Sequence, residues 1–388
     1  MSVAGLAVAD FDDDARPDVA VLIKESLLDG AGCLGSEVPG EGLRGVIVLY
    51  LGPADPAQTN EALAWEEVQI GQSFLQGDGA ATGIPEEGGF TSMAVGDVNV
   101  DGNLDIVVAW NSGCDGGRND VLVFLNNGSG PVRDGSWTTV PIPDSSPKGG
   151  VIKDVALGDI DRDGDLDIVA TYPAAQVMNV RWYRNPTLDI PDDFHLTGPD
   201  WQVGTVGQIA TGADKIRMAD VDSDGIVDVV VRSTAGNLIQ WFKGPPGATT
   251  APLRNIPWQV YTLAEFTDRT PVALALGDVN GDGRNDLVAS AAGGLAWFNP
   301  QEAPTVFDQW IESLIVDEEE PTTTPTASPA TTDPNVTPQE TGGGTLINAI
   351  LVADIDGDGD NDIVVTRARH GLSGLTNDAL AWVRNTRR

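Results

Sequence analysis

Residues 278–286 read Asp-Val-Asn-Gly-Asp-Gly-Arg-Asn-Asp. Acidic or amide side chains stand at positions 1, 3, 5 and 9 of this stretch, and a glycine stands at position 6. Alternate residues of a tight loop direct their oxygen atoms at one point, and position 7 adds its backbone carbonyl once the glycine has turned the chain. An all-oxygen cage with several negative charges suits Ca²⁺ at ligand distances of ~2.3–2.6 Å. The pattern therefore predicts a calcium loop.

The second half of this stretch differs from an EF-hand loop. An EF-hand loop closes with a glutamate at position 12 and lies between two helices. Here Asp286, at position 9, leads directly into residues 287–290, Leu-Val-Ala-Ser, which form an apolar run of strand length. The pattern therefore predicts a loop that joins two β-strands.

The same stretch recurs in register along the chain. A short apolar segment ending in Ala-Asp or Gly-Asp leads into each copy, and a strand-like run such as Asp-Ile-Val-Val follows it. The six copies begin at Asp10, Asp97, Asp159, Asp220, Asp278 and Asp354. A nine-residue pattern that repeats six times does not arise by chance, so the chain is an array of similar units.

The six loops predict up to six bound Ca²⁺ ions. The predicted ligands are the side chains at positions 1, 3, 5 and 9 and the backbone carbonyl at position 7. They are Asp10, Asp12, Asp14, Arg16 and Asp18; Asp97, Asn99, Asp101, Asn103 and Asp105; Asp159, Asp161, Asp163, Asp165 and Asp167; Asp220, Asp222, Asp224, Ile226 and Asp228; Asp278, Asn280, Asp282, Arg284 and Asp286; and Asp354, Asp356, Asp358, Asp360 and Asp362. Ala15 replaces the glycine in the first loop and strains its turn, so this site is expected to be the weakest.

Further strand signals follow each loop. They are short, rich in β-branched and aromatic residues, and separated by Gly, Pro and Asn. The predicted third strands are residues 46–51, 121–126, 180–185, 238–243, 295–299 and 380–385. The predicted fourth strands are residues 65–70, 137–142, 201–206, 258–263 and 310–315.

Four strands per repeat predict an all-β fold in which each repeat forms one sheet. Radial stacking of such sheets into a β-propeller buries their faces against one another. The predicted single domain spans residues 1–388, with blades at about 1–70, 90–142, 151–206, 214–263, 271–315 and 346–388. The last blade lacks a fourth strand, so a partner strand could complete it. Residues 316–345 are rich in Thr and Pro, and we expect them to form a disordered insert.

The ten tryptophans follow the repeat. Five open predicted fourth strands, four lie in predicted third strands, and Trp110 ends a second strand. A tryptophan row also suits a platform on which sugars stack, but positions that follow the repeat favour packing between blades.

At this point the sequence resembles the FG-GAP/VCBS repeat family, the calcium-loop propellers of integrin α-subunit heads and many secreted bacterial proteins. The resemblance rests on residues 275–288, Ala-Leu-Gly-Asp-Val-Asn-Gly-Asp-Gly-Arg-Asn-Asp-Leu-Val, on their five siblings, and on third strands of the Leu-Ala-Trp-Phe type at 295–298. It implies Ca²⁺ between the first and second strands of each blade, and partners bound away from the calcium loops. Family members usually have seven blades, whereas we count six.

Charge and composition limit the class of function. A formal net charge of −36 excludes nucleic acid as the natural partner. No apolar run reaches the ~18 residues that a membrane span needs. Calcium loops of low affinity would remain largely empty at cytosolic calcium levels, so we expect an extracellular, cell-surface or periplasmic location.

The sequence favours a non-catalytic binding or scaffold module stabilised by calcium. The two histidines, His195 and His370, fall in no metal or triad spacing. The alternative is a carbohydrate-active enzyme, a polysaccharide lyase or glycoside hydrolase, because such enzymes also occur on propellers. We expect a protein or glycan ligand on the face opposite the calcium loops, where long insertions emerge. The candidate contacts there are Trp110, Lys153, Lys215, Arg232, Arg367 and His370.

The two cysteines, Cys33 and Cys114, follow the second strands of the first two repeats. Equivalent loops of adjacent blades are neighbours in a propeller, so a disulfide between them is expected, although two unrelated thiols remain an alternative.

Overall fold

The chain folds into β-strands that group into antiparallel sheets, one for each repeat. The structure, a computed structural model, describes residues 2–27, 42–54, 64–72, 89–111, 119–128, 132, 137–143, 152–172, 179–187, 201–246, 258–266, 271–291, 294–300, 310–315, 345–353, 361–371, 374–375 and 379–383. Cys33, Cys114, the insert up to residue 344 and the loop from Asp354 to Asp360 lie outside these residues, so the predictions on them remain predictions.

Five sheets contain four strands each, in chain order. The first is β1 (Ser2–Ala9), β2 (Asp18–Leu27), β3 (Gly42–Leu51) and β4 (Glu66–Gln72). The second is β5 (Gly89–Gly96), β6 (Asp105–Asn111), β7 (Asn119–Leu125) and β8 (Thr138–Pro143). The third is β9 (Asp154–Gly158), β10 (Asp167–Thr171), β11 (Val180–Arg184) and β12 (Gln202–Gly207). The fourth is β13 (Lys215–Ala219), β14 (Asp228–Ser233), β15 (Leu238–Lys243) and β16 (Gln259–Glu265). The fifth is β17 (Pro271–Gly277), β18 (Asp286–Ala291), β19 (Gly294–Pro300) and β20 (Trp310–Ile315).

A sixth sheet contains β21 (Thr345–Ala353), β22 (Asp362–Gly371), β23 (Gly374–Leu375) and β24 (Ala379–Val383). Both β23 and β24 pair with β22, at different heights along it. The third strand predicted at residues 380–385 corresponds to β24, and β23 is a further two-residue strand that pairs with the end of β22. In the described residues no strand pairs on the far side of β24.

In the second, third and fourth sheets the second strand is completely buried. In β6, β10 and β14 every residue is buried, and their sequences are nearly continuous apolar runs. A strand covered on both faces needs such a run, because no side chain of it reaches water. Layers of apolar side chains on either side of these strands therefore form the core.

The apolar layers lie between consecutive sheets, as in a β-propeller. The chain forms two compact units, Met1–Asp220 with Asp224–Tyr261, and Val221–Ser223 with Thr262–Arg388. In the first unit, separate clusters join the first sheet to the second, the second to the third and the third to the fourth. In the second unit, one cluster joins the fifth sheet to the sixth. The chain is thus an all-β propeller protein with five four-stranded blades.

The tryptophans pack between sheets, as predicted. Trp137, Trp201 and Trp258, which directly precede fourth strands, are buried in three successive clusters. Trp182 meets Trp258 edge to face, with ring centroids 6.3 Å apart. The apolar bodies of these side chains are therefore used in packing within the protein.

Candidate metal centres

Five predicted calcium loops are fully described, and all five have the same backbone path. Each joins the first strand of its sheet to the second, as the sequence predicts. Position 6 lies in the left-handed region in every one, at φ 63° for Ala15 and 90° for Gly102. Position 4 is also left-handed in every one, although four of the five residues there are not glycine: Asp13, Val100, Arg162 and Ser223. Two left-handed residues two positions apart produce the tight turn.

The first carboxylate of each loop accepts two backbone N–H groups. In the second loop, Asp97 Oδ1 accepts from Asp101 N at 3.1 Å and Oδ2 accepts from Gly102 N at 2.9 Å. The same two bonds recur in the other four loops, between positions 5 and 1 and between positions 6 and 1. These bonds fix the first side chain inside the turn.

The fifth position holds the turn from the other side. Its Oδ1 accepts the N–H of position 7 in all five loops, for example Asp101 from Asn103 N at 2.8 Å. This bond fixes the carboxylate of position 5 against the turn.

The ninth position connects the loop to the sheet. Asp105 Oδ2 accepts Val98 N at 2.8 Å, and its Oδ1 accepts Asn126 N, just past β7, at 2.9 Å. Asp18 and Asp167 make the equivalent pairs of bonds. The ninth carboxylate is fully buried in all five loops. In the first four loops its Oδ1 ties the loop to the end of the third strand.

The carboxylates at positions 1, 3 and 9 come together at one point in three loops. These clusters are Asp10, Asp12 and Asp18; Asp159, Asp161 and Asp167; and Asp220, Asp222 and Asp228, whose candidate ligand atoms lie within 4.8 Å of one another. The second and fifth loops have Asn99 and Asn280 at position 3, so their oxygen sets contain an amide in place of one carboxylate. Of the sixth loop, only Asp362 is described among the predicted ligands.

Burial disfavours the charged form of several loop carboxylates, and a nearby cation would stabilise that form. Burial raises the pKa of Asp105 to about 7 and that of Asp286 to about 6, against the backbone N–H bonds that lower both. It also raises the pKa of Asp18, Asp161 and Asp167. Asp161 is 1% exposed, and its Oδ1 accepts no hydrogen bond in the described residues. Hard, buried, anionic oxygens of this kind fit a divalent cation of the Ca²⁺ type.

Basic side chains already contact three of the loops. Arg16 pairs with Asp14 inside the first loop. Arg184, at the end of β11, bonds Asp161 and Asp163. Lys243, at the end of β15, lies 2.6 Å from Asp224. The sequence pattern indicates anionic cages only and does not predict these cations.

The loops also contact the next blade in a way that was not predicted from the sequence. Position 2 carries an apolar side chain in each loop, and Phe11, Val98 and Ile160 are buried in the cluster that joins their sheet to the next. The carbonyl of Phe11 accepts Asn126 Nδ2 at 2.9 Å, and that of Val98 accepts Asn185 Nδ2 at 2.7 Å. The signal in the sequence was an apolar residue at every position 2 and an asparagine after several third strands.

The candidate ligand contacts at the other end of the sheets differ in exposure. Trp110 is 0% exposed, so it cannot contact a ligand, and the prediction for it is wrong. Arg232 is 8% exposed, and Lys153 is exposed. The side chains of Arg367 and His370 lie outside the described part of the structure.

One group of charges lies at this other end. Asp154 begins β9, whereas the calcium loop follows its last residue, Gly158. The buried Asp154 carboxylate accepts Ser92 Oγ and Ile216 N and lies 3.1 Å from Lys215 Nζ and 3.9 Å from Arg217 Nη1. Arg232 lies opposite Lys215 in the backbone register of β13 and β14. Burial lowers the pKa of the Arg232 guanidinium. Three cations therefore lie around one carboxylate.

No helix in the described residues has the length and apolar character needed to cross a membrane.

Comparison with solved structures finds similar propeller-sized chains at low sequence identity. An Agrocybe aegerita lectin, described as recognising non-reducing terminal N-acetylglucosamine, is similar with a TM-score of 0.48 and 14% identity, over 97% of this chain and 79% of that one. A chain of the ctPRC2 complex has a TM-score of 0.45 and 11% identity, and one of an active polycomb repressive complex 2 in the basal state has 0.44 and 12%. Each of these two matches covers 94% of this chain and 64% of the other chain. Among curated proteins, none matches this chain.

The repeats themselves match a known family model. Residues 97–170 and 220–289 match the FG-GAP-like repeat, and each match begins at the first aspartate of a loop and includes the strand that follows. The chain therefore contains FG-GAP-like repeats and folds into the four-stranded antiparallel sheets of a β-propeller, which supports its resemblance to the FG-GAP/VCBS type of propeller.

Proposed function

We propose that this protein is a non-catalytic binding module with six blades, stabilised by calcium and acting outside the cytoplasm. The observation that carries the proposal is the common hydrogen-bond framework of the five described loops, together with the convergence of three carboxylates at one point in three of them. Anionic oxygens held in this way favour an all-oxygen divalent cation over a transition metal.

The proposed ligands are the side chains at positions 1, 3, 5 and 9, with the carbonyl of position 7. A bound ion would offset the repulsion within each loop and hold the first and second strands together. Six ions would neutralise twelve of the 36 excess negative charges. Because protein oxygens would occupy most positions around each ion, the role we assign to the metal is structural.

Thermal unfolding with and without calcium tests this role. Sites of the extracellular type bind Ca²⁺ at ~10⁻⁴–10⁻³ M, so about 5 mM CaCl₂ should fill them. Binding to the folded state alone raises stability by mass action, and we expect the melting temperature to be clearly higher in calcium than in EDTA. Mg²⁺ is the matched control, since it demands a smaller octahedral site. Equal melting temperatures in EDTA and calcium, with no heat of calcium binding, would refute the proposal.

The ligand face is proposed at the end of the sheets opposite the calcium loops. Lys153, Lys215, Arg217 and Arg232 lie at or near this end in a chain whose formal net charge is −36. Guanidinium groups bind carboxylate and sulfate groups through paired hydrogen bonds. This supports an anionic group on the proposed protein or glycan ligand.

A screen of glycans and proteins, run in calcium and in EDTA, identifies the ligand. Lys153→Ala and Arg217→Ala should then weaken binding without lowering the melting temperature, because both side chains are exposed or partly exposed. Arg162→Ala removes the same charge at the calcium-loop end and serves as the control. If both variants bind as the parent does, the ligand face lies elsewhere.

A further inference from the structure

Arg184 extends from the third blade into the third calcium loop. Its Nε bonds Asp161 Oδ2, and its Nη2 lies 3.1 Å from Asp163 Oδ2. The side chain is only 17% exposed, and these two carboxylates are positions 3 and 5 of the loop. The guanidinium therefore occupies the space beside two proposed calcium ligands.

Lys243 contacts the fourth calcium loop from the equivalent position in the fourth sheet, the end of the third strand. Both residues end a third strand and directly precede the residue whose N–H bonds the ninth carboxylate, Asn185 to Asp167 at 2.8 Å and Gly244 to Asp228 at 2.6 Å. Lys243 Nζ lies 2.6 Å from Asp224, position 5 of its loop. The two cations are thus structurally equivalent.

The same place carries no charge in the other described blades. It is occupied by the buried Leu51 and Leu125 in the first two blades, and by Asn299, one residue past the Leu287–Phe298 pair, in the fifth. Leu125 and Asn299 belong to the blades whose loops have an asparagine at position 3, Asn99 and Asn280, and so one carboxylate fewer.

The first blade has Leu51 at this place but four ligand carboxylates, and there Arg16 supplies the cation from within the loop by pairing with Asp14. Loop five also has an arginine at position 7, Arg284, but within the described residues it pairs with no carboxylate of its loop. Every described loop with an aspartate at position 3 thus has a cation against a ligand carboxylate, and the two loops with an asparagine there have none among the described residues.

We propose that Arg184 and Lys243 are built-in counter-ions that hold the third and fourth loops folded without calcium and weaken calcium binding there. A guanidinium or ammonium beside the carboxylates of a loop offsets their mutual repulsion in the metal-free protein. Once a divalent ion is present, the same positive charge repels it or must move away. The second and fifth loops therefore fill at lower calcium concentration than the third and fourth. This inference rests on the proposed calcium-binding function.

Calcium titration calorimetry of Arg184→Leu tests the inference, because leucine is the residue that the second blade carries at this place. We expect one site of the weaker class to bind at least about tenfold more tightly, and the melting temperature in EDTA to fall. Arg162→Leu is the matched control. It removes the same charge from the same loop, but its side chain is exposed and bonds the Pro246 carbonyl at 3.4 Å, so calcium affinity should stay within error.

Two further variants keep the test decisive if Arg184→Leu does not fold in EDTA. Lys243→Leu should likewise raise the calcium affinity of the site in the fourth loop. Leu125→Arg should introduce a counter-ion into the second loop and weaken one of the tight sites. If these variants are folded and their calcium isotherms match the parent's, or if Arg184→Leu binds calcium more weakly, the counter-ion inference is wrong. If the parent itself binds no calcium, the proposed function fails instead.

Discussion

Val100 and Ala15 are the residues whose backbone departs most from what their side chains favour. Val100 has φ 56° at position 4 of the second loop, and Ala15 has φ 63° at position 6 of the first. The left-handed region costs a residue with a Cβ roughly 1–2 kcal/mol, and a β-branched side chain suits it least. Gly281 and Gly283 adopt both conformations in the fifth loop without this cost. The loops therefore hold strain at two positions that the fold, not the residue, imposes.

Val100→Gly should stabilise the protein by about 1 kcal/mol, because glycine adopts the required conformation freely and Val100 is 45% exposed, so little packing is lost. Ala15→Gly should act in the same direction. Urea unfolding in excess calcium measures both changes. Gly102→Ala, at φ 90° with open space around its Cα, is the reverse control and should destabilise by a similar amount. A loss of stability in Val100→Gly would show that its side chain contributes more than its strain costs.

At the residue scale, the sequence predicts the left-handed backbone at position 6 of the loops but not the one at position 4. A glycine recurs at position 6 in five of the six loops, so the need for a left-handed residue there was visible. Position 4 is filled by Asp13, Val100, Arg162 and Ser223 in four loops, and only Gly281 and Gly357 in the other two hint at its conformation. Closure of the loop overrides the local backbone preference of these residues, and a pattern of residue types does not show this effect.

At the scale of elements, the end of each third strand joins a calcium loop to the neighbouring sheet. Asn185 is fully buried and donates from Nδ2 to the carbonyls of Val98 and Leu166, at 2.7 and 3.0 Å. Val98 belongs to the loop of the preceding blade. Hydrogen bonds of this kind make the position of one loop depend on the packing of the next blade.

Asn185→Ala should destabilise the protein by about 2–3 kcal/mol, because it leaves two buried carbonyls with one donor fewer and removes the acceptor of Thr187 N. The midpoint of urea unfolding measures the effect. Asn127, next to the equivalent Asn126 of the second blade, is exposed, and Asn127→Ala should change stability by no more than about 0.5 kcal/mol. Similar losses in both variants would mean that the cross-sheet bonds are not the cause.

The strands themselves were the most predictable elements. Each second strand begins at the ninth loop position, so the loop pattern locates β2, β6, β10, β14, β18 and β22 directly. Third and fourth strands were found within a few residues of their observed bounds, because Gly, Pro and Asn separate them. The face exposed to a ligand was harder to predict. Trp110 is the last residue but one of β6, but this strand is covered on both sides, and a sequence position near a strand end does not show which neighbours cover it.

At the scale of the whole molecule, charge is the dominant feature. The chain has 58 acidic and 22 basic residues, and much of the excess is concentrated in loops whose carboxylates lie within a few ångströms of one another. Net charge of this size destabilises a compact state through self-repulsion. Local neutralisation differs from loop to loop, since Arg16, Arg184 and Lys243 each pair with one loop only. Calcium and salt should therefore both stabilise the protein by reducing the repulsion between the loop carboxylates. Bound calcium offsets their charge, whereas dissolved salt screens it.

Metal-free protein should gain stability from salt, and calcium-loaded protein should gain much less. Raising NaCl from about 20 mM to about 500 mM shortens the Debye length well below 10 Å and screens the repulsion between loop carboxylates. With Ca²⁺ bound, that repulsion is already offset, and salt has little left to screen. Melting temperatures across a NaCl series, in EDTA and in excess calcium, measure the two responses. The calcium series controls for general effects of NaCl on the protein surface. Equal gains in the two series would place the destabilising charge outside the loops, on the remaining acidic surface.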